Sequence, residues 1–462
     1  IVNGTYVRPD RSQMGELDSF ITHMKVRSKI PDPYLSPEED SWVRNALVDY
    51  FAPATWKLPV DPFSYESLSE VIRNTNRNGS PGFPMIALNG VAHTNGELLG
   101  VKGVDTSIVP PATINLIRKE IGYKLLNRVE TEERLFIKQE PHKLKKLHDP
   151  IGVKWRLIHS QNIWGTLADS AVLNNFIVAL RLSRRDQPCQ VGWAPVYGMT
   201  QELYEKFPKT LMSTDKSNWD WSMQSYGPDW IKEVILRLNL DTPKRKKALE
   251  DYLDWRFHYH YETMRMRLSC GVMVDQTTKG LMKTGLYLTL VGNTIVNVGI
   301  HLLAYKRALS LHPDGHRYLR QKGRRLFNFV IGMGDDTVHE AVLYQEDMLT
   351  EIQKLGATIK DFHPVKKENV VFCSTKFRTM KVLGSNYVLP LPDVLSKHLI
   401  VICFSKYPED AMRSFVQRMA YDPDEFDRWN ELLFSKTGRR EKWYVCFTRL
   451  AFWKNKAPYT IL

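Results

Sequence analysis

Cysteine is scarce in this chain. Its five residues, Cys189, Cys270, Cys373, Cys403 and Cys446, are scattered, odd in number and never in C-x-x-C spacing. That excludes a disulfide scaffold and a zinc knuckle, and it fits a reducing compartment. Low-complexity tracts and short internal repeats are missing as well, which excludes a repeat architecture. No segment reads as a membrane span. The most apolar stretch, 286–305, carries Asn293, Asn297 and His301 one helical turn apart, the pattern of a buried helix with a polar stripe. Residue 1 is Ile rather than Met, so no signal peptide is expected, and a processed precursor or an engineered boundary both account for that start.

Acid is outnumbered by base. Against 64 Lys and Arg stand 51 Asp and Glu, a net charge of +13. Such a balance favours a polyanionic partner, either nucleic acid or an anionic membrane. The basic clusters at 244–247, 320–325 and 436–442 each read on their own as solvated faces. A chain of 462 residues is long enough for several subdomains and a large core.

Among what is present, Met333-Gly334-Asp335-Asp336-Thr337 stands out, after the apolar run 326–331. A strand leads up, glycine permits a tight turn, and two carboxylates are presented at the tip. Carboxylates gathered in this way bind hard divalent cations, and a pair of such ions drives nucleotidyl transfer. Taken alone, the triplet suits a plain hairpin turn as well.

Four other segments carry chemistry. Asp215-Lys216-Ser217-Asn218-Trp219-Asp220 follows a short strand at 211–214, so Asp215 is expected at the strand end beside Asp335 and Asp336, while Asp220 points elsewhere; an ordinary surface loop is the plain alternative. Gly285, Thr289 and Asn293 recur every four residues and are expected on one helix face, where packing through small residues would also account for them. Lys138, Lys143, Lys154 and Arg156 form a basic hairpin able to clamp a triphosphate, or simply a solvated one. Ser80-Pro81-Gly82-Phe83-Pro84 is a rigid loop that lets another backbone approach closely, or an inert turn.

Further helices are expected at 111–130, 165–182 (amphipathic), 228–240, 243–261 and 344–355. Strands are expected around 134–160, near 370–377 and near 381–388. Residues 1–70 read as irregular with short helices, and 395–462 as mostly helical. The succession predicts an α+β fold with three acidic positions at adjacent strand ends of one sheet.

In their order these motifs resemble the RNA-dependent RNA polymerases of positive-strand RNA viruses, over about residues 74–388. The SPGFP loop resembles motif G, the 138–156 hairpin motif F, DKSNWD motif A, the 284–293 segment motif B, Gly334-Asp335-Asp336 motif C and VVFCSTKF at 370–377 motif E. LFIKQEPH, D-x-S-x-W-D-W and KGLMKTGLYLT are most similar to the sobemovirus, polerovirus and barnavirus group. Three departures stand out: Thr284 where serine is commoner, Lys216 beside the first aspartate, and Asn218 where glycine is frequent. Lys216 leaves open a contact to phosphate or to a neighbouring acid.

The resemblance implies a right-hand polymerase. Fingers would span 1–205 with an insertion at 241–270. The palm, an antiparallel sheet flanked by helices, would span 206–240 and 271–388, and the thumb 389–462. It implies two Mg²⁺ or Mn²⁺ ions on Asp215, Asp335 and Asp336. It implies NTP contacts from Lys138, Arg156, Asp220, Thr284, Thr289 and Asn293, and template contacts from Ser80, Pro81, Gly82 and Gly285. A general-acid lysine would be Lys360, Lys366 or Lys367. The implied partners are single-stranded RNA template, nascent RNA and NTPs, with other viral replication proteins beside them, and initiation is left open between a de novo start and a protein primer. The implied location is the host-cell cytoplasm, with recruitment to intracellular membranes by those partners rather than by an anchor in this chain. Aromatic and basic residues between Trp429 and Trp453 would suit a product duplex or a thumb core. Rival readings are a reverse transcriptase, a two-metal nuclease or phosphohydrolase, and a non-enzymatic RNA-binding protein.

Overall fold

The computed structural model describes residues 5–30, 32–87, 92–101, 109–382, 385–405 and 407–446. Helices and sheets are mixed, as an α+β fold requires. The centre is a four-stranded antiparallel sheet in the order Thr358–Lys366, Thr210–Ser217, Asp336–Glu340, Val330–Met333. Behind it runs the helix Thr289–Ser310. It is apolar nearly all round, so it is buried all round. Ile295, Val298, Leu302 and Tyr305 join Leu47 and Trp230 in the largest core cluster. Gly299 is required there, because a Cβ would lie 2.8 Å from the Trp230 ring.

A second four-stranded sheet has the order Leu157–Ser160, Glu133–Ile137, Arg265–Arg267, Met273–Asp275, with one parallel pairing between its middle strands. Burial alternates along Glu133–Ile137, the period of a strand with one face on a core. Leu135, Ile137 and Leu157 fill that face with Phe20 and Trp221. A three-stranded sheet of Val371–Phe372, Thr375–Val382 and Ser385–Pro392 packs against the central one, its Phe372, Phe377 and Val388 meeting Leu211, Ile331 and Val338. The helices Pro408–Arg418 and Pro423–Thr437 gather around Phe415, Val416, Phe426 and Leu433.

Several sequence expectations need correction. Residues 1–70 hold two full helices, Gln13–Arg27 and Pro37–Phe51. The second starts with a reciprocal Ser36/Glu39 capping box and Pro37 in its first turn, a start signal legible in SPEE. The strand bearing Asp215 runs on to Ser217, so Asp215 lies inside it and not at its end. The strand Thr358–Lys366 was not expected at all, since TIKDFHPVK is mostly exposed and lacks apolar alternation. The long helix begins at Thr289, not at Thr284. The helix Ile163–Leu182 is not amphipathic. Among the described residues it is the helix long and apolar enough to cross a membrane, in place of 286–305, and 61% of its most apolar stretch is buried inside the protein. Trp453 lies outside the described residues.

Candidate active site

The tip of the Val330–Met333/Asp336–Glu340 hairpin carries Gly334 in a left-handed conformation, φ +70°, which permits the tight turn. Asp335 is exposed at that tip and Asp336 is half-buried. Thr214 pairs with Thr337, and one further step of that register brings Asp215 opposite Asp336. The structure therefore unites the three carboxylates predicted from sequence. Their proximity has an electrostatic cost. Burial, then the Asp335 charge and the Asp215 charge, push the Asp336 carboxyl up to about 6, against a hydrogen bond from Cys373 and the Lys216 charge.

Polar groups on the helix Thr289–Ser310 hold the tip from behind. Thr294 Oγ1 accepts from Gly334 N at 2.9 Å, and Asn297 Nδ2 donates to Gly334 O at 3.1 Å and to Asp335 O at 3.0 Å. The polar stripe read from sequence caught Asn297 as a pattern without its task. Thr294 was missed, and its four-residue step back from Val298 on an apolar helix gives no signal.

Asp220 sits beyond a short turn from Asp215. Its Oδ1 accepts from Asn293 Nδ2 at 2.8 Å, and its Oδ2 accepts from the Thr284 hydroxyl. Burial pushes its carboxyl up, while those two bonds pull it back toward the charged form. Gly285 is not on the helix with Asn293, contrary to the four-residue spacing. It lies in the preceding loop at φ +119°, pressed on the neighbouring strand, where a Cβ would come within 2.4 Å of His159 O. Thr289 directs its hydroxyl to Lys283 O (2.7 Å) and Leu286 O (2.9 Å), so it braces that loop.

Lys138 and Arg156 face each other across the second sheet's hairpin. They share Glu140, at 3.2 Å and 3.4 Å, and Lys138 N donates to Arg156 O at 2.9 Å. Both side chains are about half exposed. Ser80 and Gly285 line one cleft of about 490 Å³, with Ser160, Gln161 and Tyr287. Gly82, at φ +73°, stands so close that a Cβ would meet Gln161 O at 2.2 Å, and Pro81 O accepts from Ile163 N at 3.0 Å. Both brace the cleft wall.

Of the three candidate lysines, Lys360 alone reaches the carboxylates. It is the extra residue of a β-bulge between Ile359 and Asp361, where the strand turns a side chain out of register. Its Nζ donates to Asp215 Oδ2. Lys366 pairs with Thr210 at the other end of the strand, and the Lys367 ammonium lies 4.5 Å from the Tyr204 ring centroid.

Among the described residues no three His, Cys, Asp or Glu side chains are gathered closely enough to cage a metal unaided. Asp215, Asp335 and Asp336 still fit a hard cation. All their donors are carboxylate oxygens, and Mg²⁺ is commonly held by one or two carboxylates with water and substrate phosphate completing its shell. The Lys360 ammonium on Asp215 shows that this carboxylate accepts a cation.

A family model described as viral RNA-dependent RNA polymerase matches residues 63–393, with both acidic clusters and the basic hairpin inside it. The chain belongs to the viral RNA-dependent RNA polymerase family. It is similar to Protein P2-P3 of Poinsettia latent virus, at 23% identity over 311 residues, 62% of this chain and 24% of that protein. It is also similar to the Replicase polyprotein P2AB of Southern cowpea mosaic virus, at 26% identity over 307 residues, 63% of this chain and 28% of that protein. The chain thus spans about a quarter of the length of these curated relatives. The likeness to positive-strand viral polymerases read from the ordered motifs is borne out, and the family's activity is RNA-templated RNA synthesis in viral replication.

Proposed function

We propose that this chain extends an RNA 3′-hydroxyl on a single-stranded RNA template, using NTPs, to replicate and transcribe a viral genome. The observation that carries the proposal is the convergence of Asp215, Asp335 and Asp336 at one end of the central sheet, with Lys360 on Asp215. Two Mg²⁺ or Mn²⁺ ions on these aspartates would supply the Lewis acidity that activates the 3′-hydroxyl and steadies the leaving pyrophosphate.

The chain's own residues do the rest. Lys138 and Arg156, poised on Glu140, exchange that carboxylate for the incoming triphosphate. Lys360 moves from Asp215 to hand a proton to pyrophosphate. Asp220, held by Thr284 and Asn293, meets the ribose 2′-hydroxyl, the group that separates ribonucleotides from deoxyribonucleotides. Thr289 acts on the nucleotide only through the loop it braces. Ser80 and Gly285 border the template's path, with Pro81 and Gly82 stiffening its wall.

In right-hand terms the central antiparallel sheet is the palm, residues 206–240 and 271–388. The fingers are 1–205 with 241–270, and the thumb is 389–462. Further viral replication proteins join the complex, which starts RNA either de novo or on a protein primer and works in the host cytoplasm on membranes that those partners select.

The test is RNA synthesis by the purified chain on single-stranded RNA with four NTPs and Mg²⁺ or Mn²⁺, primed and unprimed, beside Asp335→Ala. Template-length product that disappears in the variant is expected. Product that survives Asp335→Ala overturns the metal assignment. Template shortening in place of extension overturns the polymerase assignment in favour of a nuclease.

A further inference from the structure

The helix Gln13–Arg27 lies outside the family match at 63–393, yet it is tied to two turns of the candidate site. Ser19 Oγ donates to Trp155 O and accepts from Trp155 N, both at 3.0 Å. One turn on, His23 Nε2 lies 2.9 Å from Trp155 O, and Nδ1 lies 3.2 Å from Asn218 Oδ1. The ring stacks on Trp221 with centroids 4.6 Å apart and planes 15° apart. Trp155 immediately precedes Arg156, and Asn218 and Trp221 flank Asp220. A single imidazole therefore touches both the basic hairpin and the turn that aims Asp220.

Asn218 has a left-handed backbone, φ +59°. Asparagine tolerates that conformation better than most residues, but less freely than glycine. A contact that holds it there has work to do. Burial lowers the basicity of His23 to about 4, so the ring is neutral near pH 7. A neutral imidazole has one donor and one acceptor nitrogen. With Nε2–H on Trp155 O, Nδ1 must accept. Asn218 Nδ2 is buried without a partner. Half a turn of the amide exchanges its two ends and gives that N–H to His23 Nδ1, which satisfies both groups.

We propose that His23 is a positioning residue for ribose selection. Through Asn218 it fixes the turn between Asp215 and Asp220, and so sets Asp220 against Thr284 and Asn293. The helix Gln13–Arg27 then belongs to the catalytic unit although the family match begins after it. This inference rests on the polymerase assignment above.

The test compares His23→Phe, Asn218→Gly and the double variant in the full chain. Phenylalanine keeps a ring on Trp221 and loses both nitrogens. Glycine keeps the left-handed turn and loses the amide. Single-nucleotide incorporation on primed RNA is measured with a ribonucleotide and with its 2′-deoxy counterpart. Each single change is expected to lower the rNTP/dNTP ratio about three- to tenfold, the worth of one ordinary hydrogen bond, mostly through ribonucleotide KM. The double variant is expected to match the worse single variant within about twofold, because one contact is removed twice. Multiplying effects, or an unchanged ratio in Asn218→Gly, overturn the inference. Should His23→Phe fail to fold, the ratio in Asn218→Gly decides alone. A wild-type chain that makes no RNA overturns the polymerase assignment and this inference with it. An active wild type with an insensitive Asn218→Gly overturns the inference only.

Discussion

Lys216 Nζ lies 3.4 Å from Thr337 Oγ1, on the face of the central sheet turned away from the Asp215 carboxylate. Successive side chains of a strand point to opposite faces, so the residue after a half-exposed Asp215 is driven inward. Lys216 is only 5% exposed, and its ammonium lies 5.5 Å from the Trp219 ring centroid. The sequence had left open a contact to phosphate or to a neighbouring acid. Burial removes the first and pushes the Lys216 amine down to about 7, while the charges of Asp335, Asp336 and Asp215 pull it back up through the sheet.

Lys216→Met should therefore leave the NTP KM within about twofold of wild type, since the apolar replacement fills the same buried slot. Steady-state incorporation measures this. A tenfold rise in KM, about 1.4 kcal/mol of lost binding, would mean that the ammonium reaches the triphosphate after all.

Asn297→Ala should lower kcat about ten- to hundredfold while RNA binding holds. The amide supplies the hydrogen bonds to Gly334 O and Asp335 O, and each such bond is worth about 0.5–1.5 kcal/mol. Without it the hairpin tip can drift, and a small misplacement of reacting groups is costly. Active-site titration, to correct for misfolded protein, combined with kcat checks this; a wild-type kcat would show that the strands alone hold the tip.

Asn293→Ala should cut the rNTP/dNTP ratio about tenfold. It removes the 2.8 Å donor to Asp220 Oδ1 and leaves a buried carboxylate short of one partner. Thr284→Val removes the other donor and should act in the same direction. An unchanged ratio in both variants would separate Asp220 from ribose recognition.

Gly285→Ala should be nearly inactive. The position needs φ +119°, strained for any L side chain, and the added methyl would meet His159 O at 2.4 Å. The loop must then part from the strand Leu157–Ser160, whose His159 N donates to Thr284 O at 2.8 Å. Activity alone is ambiguous here, so limited proteolysis across 276–288 should run beside it. Wild-type activity with an unchanged digest would mean the close approach is dispensable.

The parts of this site that sequence made legible are those whose chemistry is local. Gly334-Asp335-Asp336 declares a carboxylate-bearing turn, and the family match at 63–393 agrees with the order of motifs around it. What sequence hid depends on tertiary placement. The four-residue spacing of Gly285, Thr289 and Asn293 mimicked a helix face, but Gly285 has a non-helical backbone at φ +119° and the helix starts only at Thr289. Three lysines were equivalent on paper, and a β-bulge at Lys360 chose between them. TIKDFHPVK hid a strand because its side chains are mostly exposed and its stability comes from pairing along Thr210–Ser217. His23 gave no signal, since its partners are 132 and 195 residues away.

His23 also predicts a pH dependence of stability whose sign follows from its burial. Its folded-state basicity is lowered from 6.5 to about 4, by burial first and then by the charges of Lys154 and Lys146, against the bond to Trp155 O. Between those values the unfolded chain takes up a proton at this ring and the folded chain does not. Stability therefore rises with pH across the window, is fully present above 6.5, and is lost as pH falls toward 4. One such ring is worth up to about 1.4 kcal/mol per pH unit, on the order of 3 kcal/mol over the whole interval. His23→Phe has no proton to take up in either state. Its melting temperature relative to wild type should climb steadily from pH 6.5 to pH 4, and hold constant above pH 7. Thermal melts of the two proteins in matched buffers read this directly. A difference that does not change with pH would mean that the ring titrates alike in both states, and so that helix Gln13–Arg27 does not keep it neutral against Trp155 and Asn218.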